Sequence, residues 1–257
     1  MKMGRLAVTG AALVALAGLS ACTDKETPAA SSTGAAPVAE SATASASAAA
    51  KELGAAALKV TESSGKIHMT MAGGMTGEGA FDTPNKALDI TMTMAGLGDV
   101  SIREVGTDMY MKFGGAAAKS FGNGKWMHID ASKMPETSAL SLEKNDPRNT
   151  AKLLEQTTDV KKSGNTFTGT LDITKSPSLT AEMVKAMQGK STQVPFTAQV
   201  DSDGYLTKMT MDMNAVAQGA GKVEASYTDI GSKVAIARPA KNQTVEMSDS
   251  VLKSIGG

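Results

Sequence analysis

The stretch Leu88-Asp89-Ile90-Thr91-Met92-Thr93-Met94 decides the fold. Leu88, Ile90, Met92 and Met94 share one parity and Asp89, Thr91 and Thr93 the other, the period-two signature of a strand with one buried and one wet face. Half-buried strands of this kind belong to antiparallel sheets. The pattern returns upstream in Ile67-His-Met-Thr-Met71 and downstream in Leu206-Thr-Lys-Met-Thr-Met-Asp-Met213, so similar strands stand near both ends of the domain and are expected in one sheet. The buried parity is filled mostly by methionine, of which the chain has 17. Methionine is flexible and polarizable, suited to surfaces that fit variable apolar partners.

Outward from that stretch, strands are expected at about 66–72, 76–82, 87–95, 99–105, 108–113 and 125–130. The links between them include Ala72-Gly-Gly74, Thr83-Pro-Asn85 and Gly96-Leu-Gly98, short enough to force hairpins and an up-and-down meander. A helix precedes them from near Ala48, with Leu53, Ala57 and Val60 on one stripe, and the break Ser63-Ser-Gly65 ends it. After the meander, Asp146-Pro147 opens a second helix through Leu153 and Leu154 to about Thr157. A strand at Thr166–Ile173 puts Phe167, Leu171 and Ile173 on one face, and a helix over about 179–188 carries Met183, Val184 and Met187 before stopping at Gly189. Strands follow at Val194–Val200, Leu206–Met213 and Lys222–Tyr227, then an extended piece to Pro239 and a terminal turn at Val251–Ile255. This order reads as an α+β fold with helices covering one face of a single sheet.

The first fifty residues read as address and tether. Lys2 and Arg5 precede an uncharged run from Leu6 to Leu19, shorter than the roughly 20 residues that a spanning helix needs. It is a signal peptide over 1–21, ending in Leu19-Ser-Ala-Cys22, which looks like the lipobox of bacterial lipoproteins. Cys22 is the single cysteine; its position at the end of such a run points to lipidation, and an internal disulfide is impossible. Residues 22–50 are Ala, Ser, Thr and Pro with almost no large apolar side chain, a disordered tether. The segment 51–257 is the single domain.

Without residues 1–21 the chain keeps 24 basic and 26 acidic residues, a net charge of −2. No basic stripe and few aromatics are present, so nucleic acid is not an expected partner. An enzyme is not expected either. The two imidazoles, His68 and His128, sit on the parity opposite Met69 and Met127 and read as solvated strand residues. No nucleophile elbow, zinc-binding helix motif or phosphate loop occurs, and Gly189-Lys-Ser191 follows a helix rather than a strand. Paired methionines at 69 and 71, 92 and 94, 109 and 111, and 209, 211 and 213 raise a Cu(I) reading, because thioethers are soft ligands. Ordinary packing ranks above it, and a lipid-contacting wall ranks between the two. Asp201-Ser-Asp-Gly204 resembles the start of a calcium loop but lacks the later ligands, and reads as a hairpin turn. Trp126 marks either a cavity mouth or a rim. No cofactor and no metal is expected.

The runs Gly77-Glu-Gly-Ala-Phe-Asp82, Leu88–Met94, Asp108-Met-Tyr-Met-Lys112, Lys125-Trp-Met-His-Ile-Asp130 and Val194–Leu206 together resemble actinobacterial envelope lipoproteins of the LppX/LprAFG type, over roughly residues 50–245. The resemblance implies a strongly curved antiparallel β half-barrel with helices packed on its concave face and an apolar cavity between. It also implies binding of an acylated lipid or glycolipid, carriage across or within the envelope, and an envelope transporter as a candidate partner. The expected location is the extracytoplasmic face of the cell membrane, held through an acylated Cys22. The lining expected for such a cavity is Met69, Met71, Leu88, Ile90, Met92, Met94, Ile102, Phe167, Met209 and Met211, with Met183 and Met187 from the helix. The competing reading is a packed, non-carrier lipoprotein that serves as a scaffold or binds another envelope protein.

Overall fold

A computed structural model describes residues 38–94, 98–134, 138, 141–143, 146–176, 179, 181–187, 191–248 and 252. All belong to one unit, Pro37–Gly257. The signal segment, Cys22 and the first part of the tether lie outside the described residues, as does the terminal turn apart from Leu252. No helix among the described residues is long and apolar enough to cross a membrane.

Alternation becomes strands within two residues of the expected bounds: β1 (Ser64–Met71), β2 (Met75–Asp82), β3 (Ala87–Met94), β4 (Gly98–Val105), β5 (Asp108–Phe113) and β6 (Trp126–Asp130). Each pairs antiparallel with the next. Thr83-Pro-Asn85 makes one tight helical turn between β2 and β3, with the Asp82 carboxylate accepting from the Asn85 amide and Lys86 in the left-handed region at φ 52°. The second half supplies β7 (Lys161–Ser163), β8 (Thr166–Asp172), β9 (Gln193–Val200), β10 (Leu206–Asp212), β11 (Lys222–Thr228) and β12 (Thr244–Glu246). The Asp201 turn is the expected hairpin. Its carboxylate accepts from the amides of Asp203 (3.0 Å) and Tyr205 (2.8 Å), while Gly204 takes φ +79°.

The twelve strands among the described residues form one sheet in the order β12-β6-β5-β4-β3-β2-β1-β11-β10-β9-β8-β7. It is two meanders joined through the β1–β11 pair, and only β12 against β6 runs parallel. The chain leaves β6 near one edge and must reach β7 at the other. The connection between them carries α2 (Arg148–Glu155), which packs on α1 (Val38–Thr61). The helix α3 (Ala181–Ala186) lies between β8 and β9.

The α1 stripe is as the sequence predicts: Leu53, Ala57 and Val60 are buried, with Ala49, Ala50 and Ala56 beside them. They join Ala151 and Leu154 of α2 and Phe81, Phe167, Leu171, Phe196, Ala198, Leu206 and Met209 of the sheet in one core. Small residues let the two helices approach closely: a Cβ on Gly54 would overlap the Glu155 side chain. The sheet curves around α1, as its contacts at two points along the helix show. Glu52 pairs with Lys162 of β7 at 2.6 Å, whereas Val60, about 12 Å further along the helix axis, packs in the same core as Phe81 of β2. A flat sheet would separate β7 from β2 by about 29 Å, so the strands bend around the helix. The architecture is an α+β half-barrel with α1 and α2 on the concave face.

Three boundaries differ from the sequence reading. α1 begins at Val38, ten residues earlier than the apolar stripe predicts, because an alanine-rich segment has high helix propensity without any apolar face to reveal it. The helix α3 is shorter than expected, and Ile173 opens a tight turn after β8 instead of extending it. The three-residue strands β7 and β12 carry no alternation long enough to read.

Candidate ligand cleft

Register assigns side chains to faces. Because Phe81, Leu206 and Met209 face the helices, their parity partners define the concave side: Ile67, Met69 and Met71 on β1, Leu88, Ile90 and Met92 on β3, Val100, Ile102 and Glu104 on β4, and Met109 and Met111 on β5. The helices fill only one part of this side. Beside the C-terminal end of α1 a cleft of about 760 Å³ remains, of the size that holds a small ligand. Its walls are Ala57, Val60 and Thr61 of α1, Ile67 of β1, Phe81 of β2, Ala87 and Leu88 of β3, Glu104 of β4, Met109 of β5, Leu206 of β10 and Tyr227 of β11. Its rim is polar, formed by Glu62, Lys86, Asp146, Arg148 and Thr150, and it includes Leu142, an apolar side chain 46% exposed.

The apolar walls follow from strand periodicity, with Phe81 and Tyr227 meeting edge to face at 6.0 Å and 88°. Two polar groups break the pattern. Glu104 lies between Leu88 and Met109 in register and has no hydrogen-bond or ion-pair partner among the described residues; burial pushes its carboxyl pKa up. The Tyr227 hydroxyl likewise has no partner among them, and burial raises its pKa too. At the rim, Arg148 is engaged by Asp146 at 2.6 Å, which lowers the Asp146 pKa.

Of the residues expected to line a lipid cavity, Leu88 borders this cleft. Phe167 and Met209 are instead buried in the helix–sheet core, with Met211 packed against it. Met69, Met71, Ile90, Met92 and Ile102 are half-buried on the concave face, further along the strands, and Met187 is half-buried after α3. Met94 and Met183 are placed by backbone alone, at the end of β3 and in α3. The cleft residues that the sequence reading missed, chiefly Glu104, Tyr227, Leu142, Asp146 and Arg148, come from distant parts of the chain. One signal was readable: β4 runs Val100, Ile102, Glu104 on its apolar parity, a charge where a hydrophobe belongs.

The outer face is not bare. After β11 the chain crosses it to reach β6, fastened as it goes. Arg103 bridges Asp89 (2.5 Å) and the Ala237 carbonyl (3.1 Å), and Arg238 Nε donates to Asp108 at 2.8 Å. His128 is therefore not the solvated residue that its parity predicts. Its Nε2 meets Asp108 Oδ1 at 2.9 Å and its Nδ1 meets Glu246 at 3.0 Å. Carboxylates only accept, so both contacts are satisfied when both ring nitrogens are protonated. Trp126 also stands on this face, with the Arg103 guanidinium 4.8 Å from its ring centroid, away from the cleft. His68 is exposed, 3.3 Å from Glu78.

Burial opposes charge on His128, but the hydrogen bonds to Asp108 and Glu246 outweigh it, and its pKa is raised. The same ring and Arg238 hold the Asp108 carboxyl below its usual value. A raised folded-state pKa gives stabilisation that is complete below the unfolded value of about 6.5 and disappears as pH rises through the folded one. The urea midpoint is therefore expected to fall as pH rises from about 6 to 9, and His128→Gln should remove that part of the slope. An unchanged slope in the variant would assign it to other groups.

No family model matches the sequence, and no curated protein matches it. Among solved structures, the chain is similar to the crystal structure of the Mycobacterium tuberculosis lipoprotein LppX, with a TM-score of 0.47 and 14% identity over 74% of this chain and 98% of that one.

Proposed function

We propose that this protein binds an acylated lipid in the cleft, and that it is an envelope lipoprotein, tethered through Cys22, that carries its ligand across or within the envelope. The observation that supports binding is the cleft itself: about 760 Å³ with apolar walls and a charged rim, the division that an amphiphile presents. Longer chains would continue from Leu88 along Ile90 and Met92, on the same parity of β3, toward Met69 of β1, whose methyl end and the Met92 side chain flank Gly77 on β2. Methionine there adapts to different chain shapes.

Magnitudes suit a carrier. A dozen methylenes withdrawn from water contribute on the order of 10 kcal/mol at about 0.8 kcal/mol each. Association costs of about 4–15 kcal/mol offset much of that, leaving binding that can also release. Leu88→Trp, which fills the cleft from its wall, is expected to weaken binding of a long-chain acyl probe by about tenfold or more, equivalent to about 1.4 kcal/mol, with the fold retained by circular dichroism. The test is probe titration beside gentle native mass spectrometry of protein purified from its own host. A wild-type protein that neither retains lipid nor binds the probe saturably overturns the reading.

A further inference from the structure

We infer that Glu104 makes the cleft selective for acyl lipids whose head group donates hydrogen bonds and carries no negative charge, acylglycerols being the simplest, over fatty acids of equal chain length. This rests on the reading of the cleft as a lipid site. The position of Glu104 is fixed by the sheet: Leu88 and Met109 oppose it on the neighbouring strands, and both border the cleft. It is half-buried, and no described residue satisfies it by hydrogen bond or ion pair. A carboxyl in such surroundings is costly unless something donates to it. No described residue supplies a donor, so the donor is expected from what enters the cleft.

A second group points the same way. Tyr227 borders the same space, its ring held against Phe81 and its hydroxyl without a partner among the described residues. A phenol donates and accepts, which suits an ester carbonyl or a free hydroxyl. Glycerol hydroxyls suit a carboxyl that accepts, and an acyl ester carbonyl suits a phenol that donates. A fatty acid offers instead a carboxylate next to a carboxylate, and two such groups in a shared site cannot both ionise cheaply. The described cations at the cleft do not reverse this. Arg148 is taken by Asp146, and Lys86 is exposed at the rim, where water and salt screen it.

The experiment is displacement of bound N-phenyl-1-naphthylamine, an uncharged fluorescent probe, by 1-monopalmitoylglycerol and by palmitate. Wild-type protein, Glu104→Gln and Glu104→Leu are compared at neutral pH below the critical micelle concentrations. Wild type is expected to prefer the glycerol ester by roughly tenfold. Glu104→Gln should keep the ester and admit palmitate, because the acceptor remains and the charge is gone. Glu104→Leu should weaken the ester and erase the preference. Equal displacement by both ligands in wild type, or a preference that survives in Glu104→Leu, overturns the selectivity while the cleft reading stands. Failure of the probe and both ligands to bind any variant overturns both together.

Discussion

Phe167→Ala is expected to destabilise the domain by about 3–5 kcal/mol, the range for removing a fully buried aromatic ring. Phe167 is among the largest side chains with no exposed surface, and it sits where β8 meets the helices. Its cross-strand partner Ala198 is equally buried, and neither it nor the helical alanines can grow into the space left behind. Against a typical total of about 5–15 kcal/mol, this loss would move a large share of the molecules to the unfolded state in mild denaturant. Urea unfolding followed by circular dichroism measures it. Phe167→Leu should cost much less, since most of the volume stays. A loss below about 1 kcal/mol for alanine would mean that the site collapses without a cavity, contrary to the packing described.

Gly79→Val is expected to cost about 3 kcal/mol or more, although valine is the better strand former. The two considerations have opposite signs, which makes the variant informative. Gly79 lies between Ile67 and Ile90 on the concave parity of β2. A Cβ there would collide with the Asp89 carbonyl oxygen and come within 2.8 Å of the Ile90 Cα and Cγ1. Two of those atoms are backbone and cannot rotate aside, so the β2–β3 ladder would have to open. Glycine within a strand marks such close approaches and tight bends. A lowered denaturation midpoint supports that geometry; a midpoint equal to or above that of wild type would show that propensity wins.

The sheet was legible where period-two alternation ran for several residues. β2 to β5 fall nearly where Leu88 to Met94 and its neighbours place them, and Leu53, Ala57 and Val60 pack as their spacing predicts. What stayed hidden was non-local. β12 exists because Thr244 to Glu246 meet Trp126 to His128 across more than a hundred residues, and no pattern in three residues announces that. The cleft was hidden for the same reason. Methionine content drew attention to one end of the concave face, whereas the walls of the cleft come from the end of α1, the Phe81 and Leu88 ends of their strands, Tyr227 and the segment before α2. Parity identified which side faces inward; it carried no information on where along that side the helices stop.

The two borders of the sheet have a bearing on solubility. An open β-sheet exposes unpaired amides and carbonyls along its outermost strands, and copies of a protein held at high local density can join there. Here both outermost strands, β7 and β12, are only three residues long, and β7 consists of exposed Lys161, Lys162 and Ser163. Neither offers a template of useful length, and lysines repel a like border. The long strands between these borders are thereby kept unreceptive along the sheet's margins, so copies of the domain at high local density need not join into fibres.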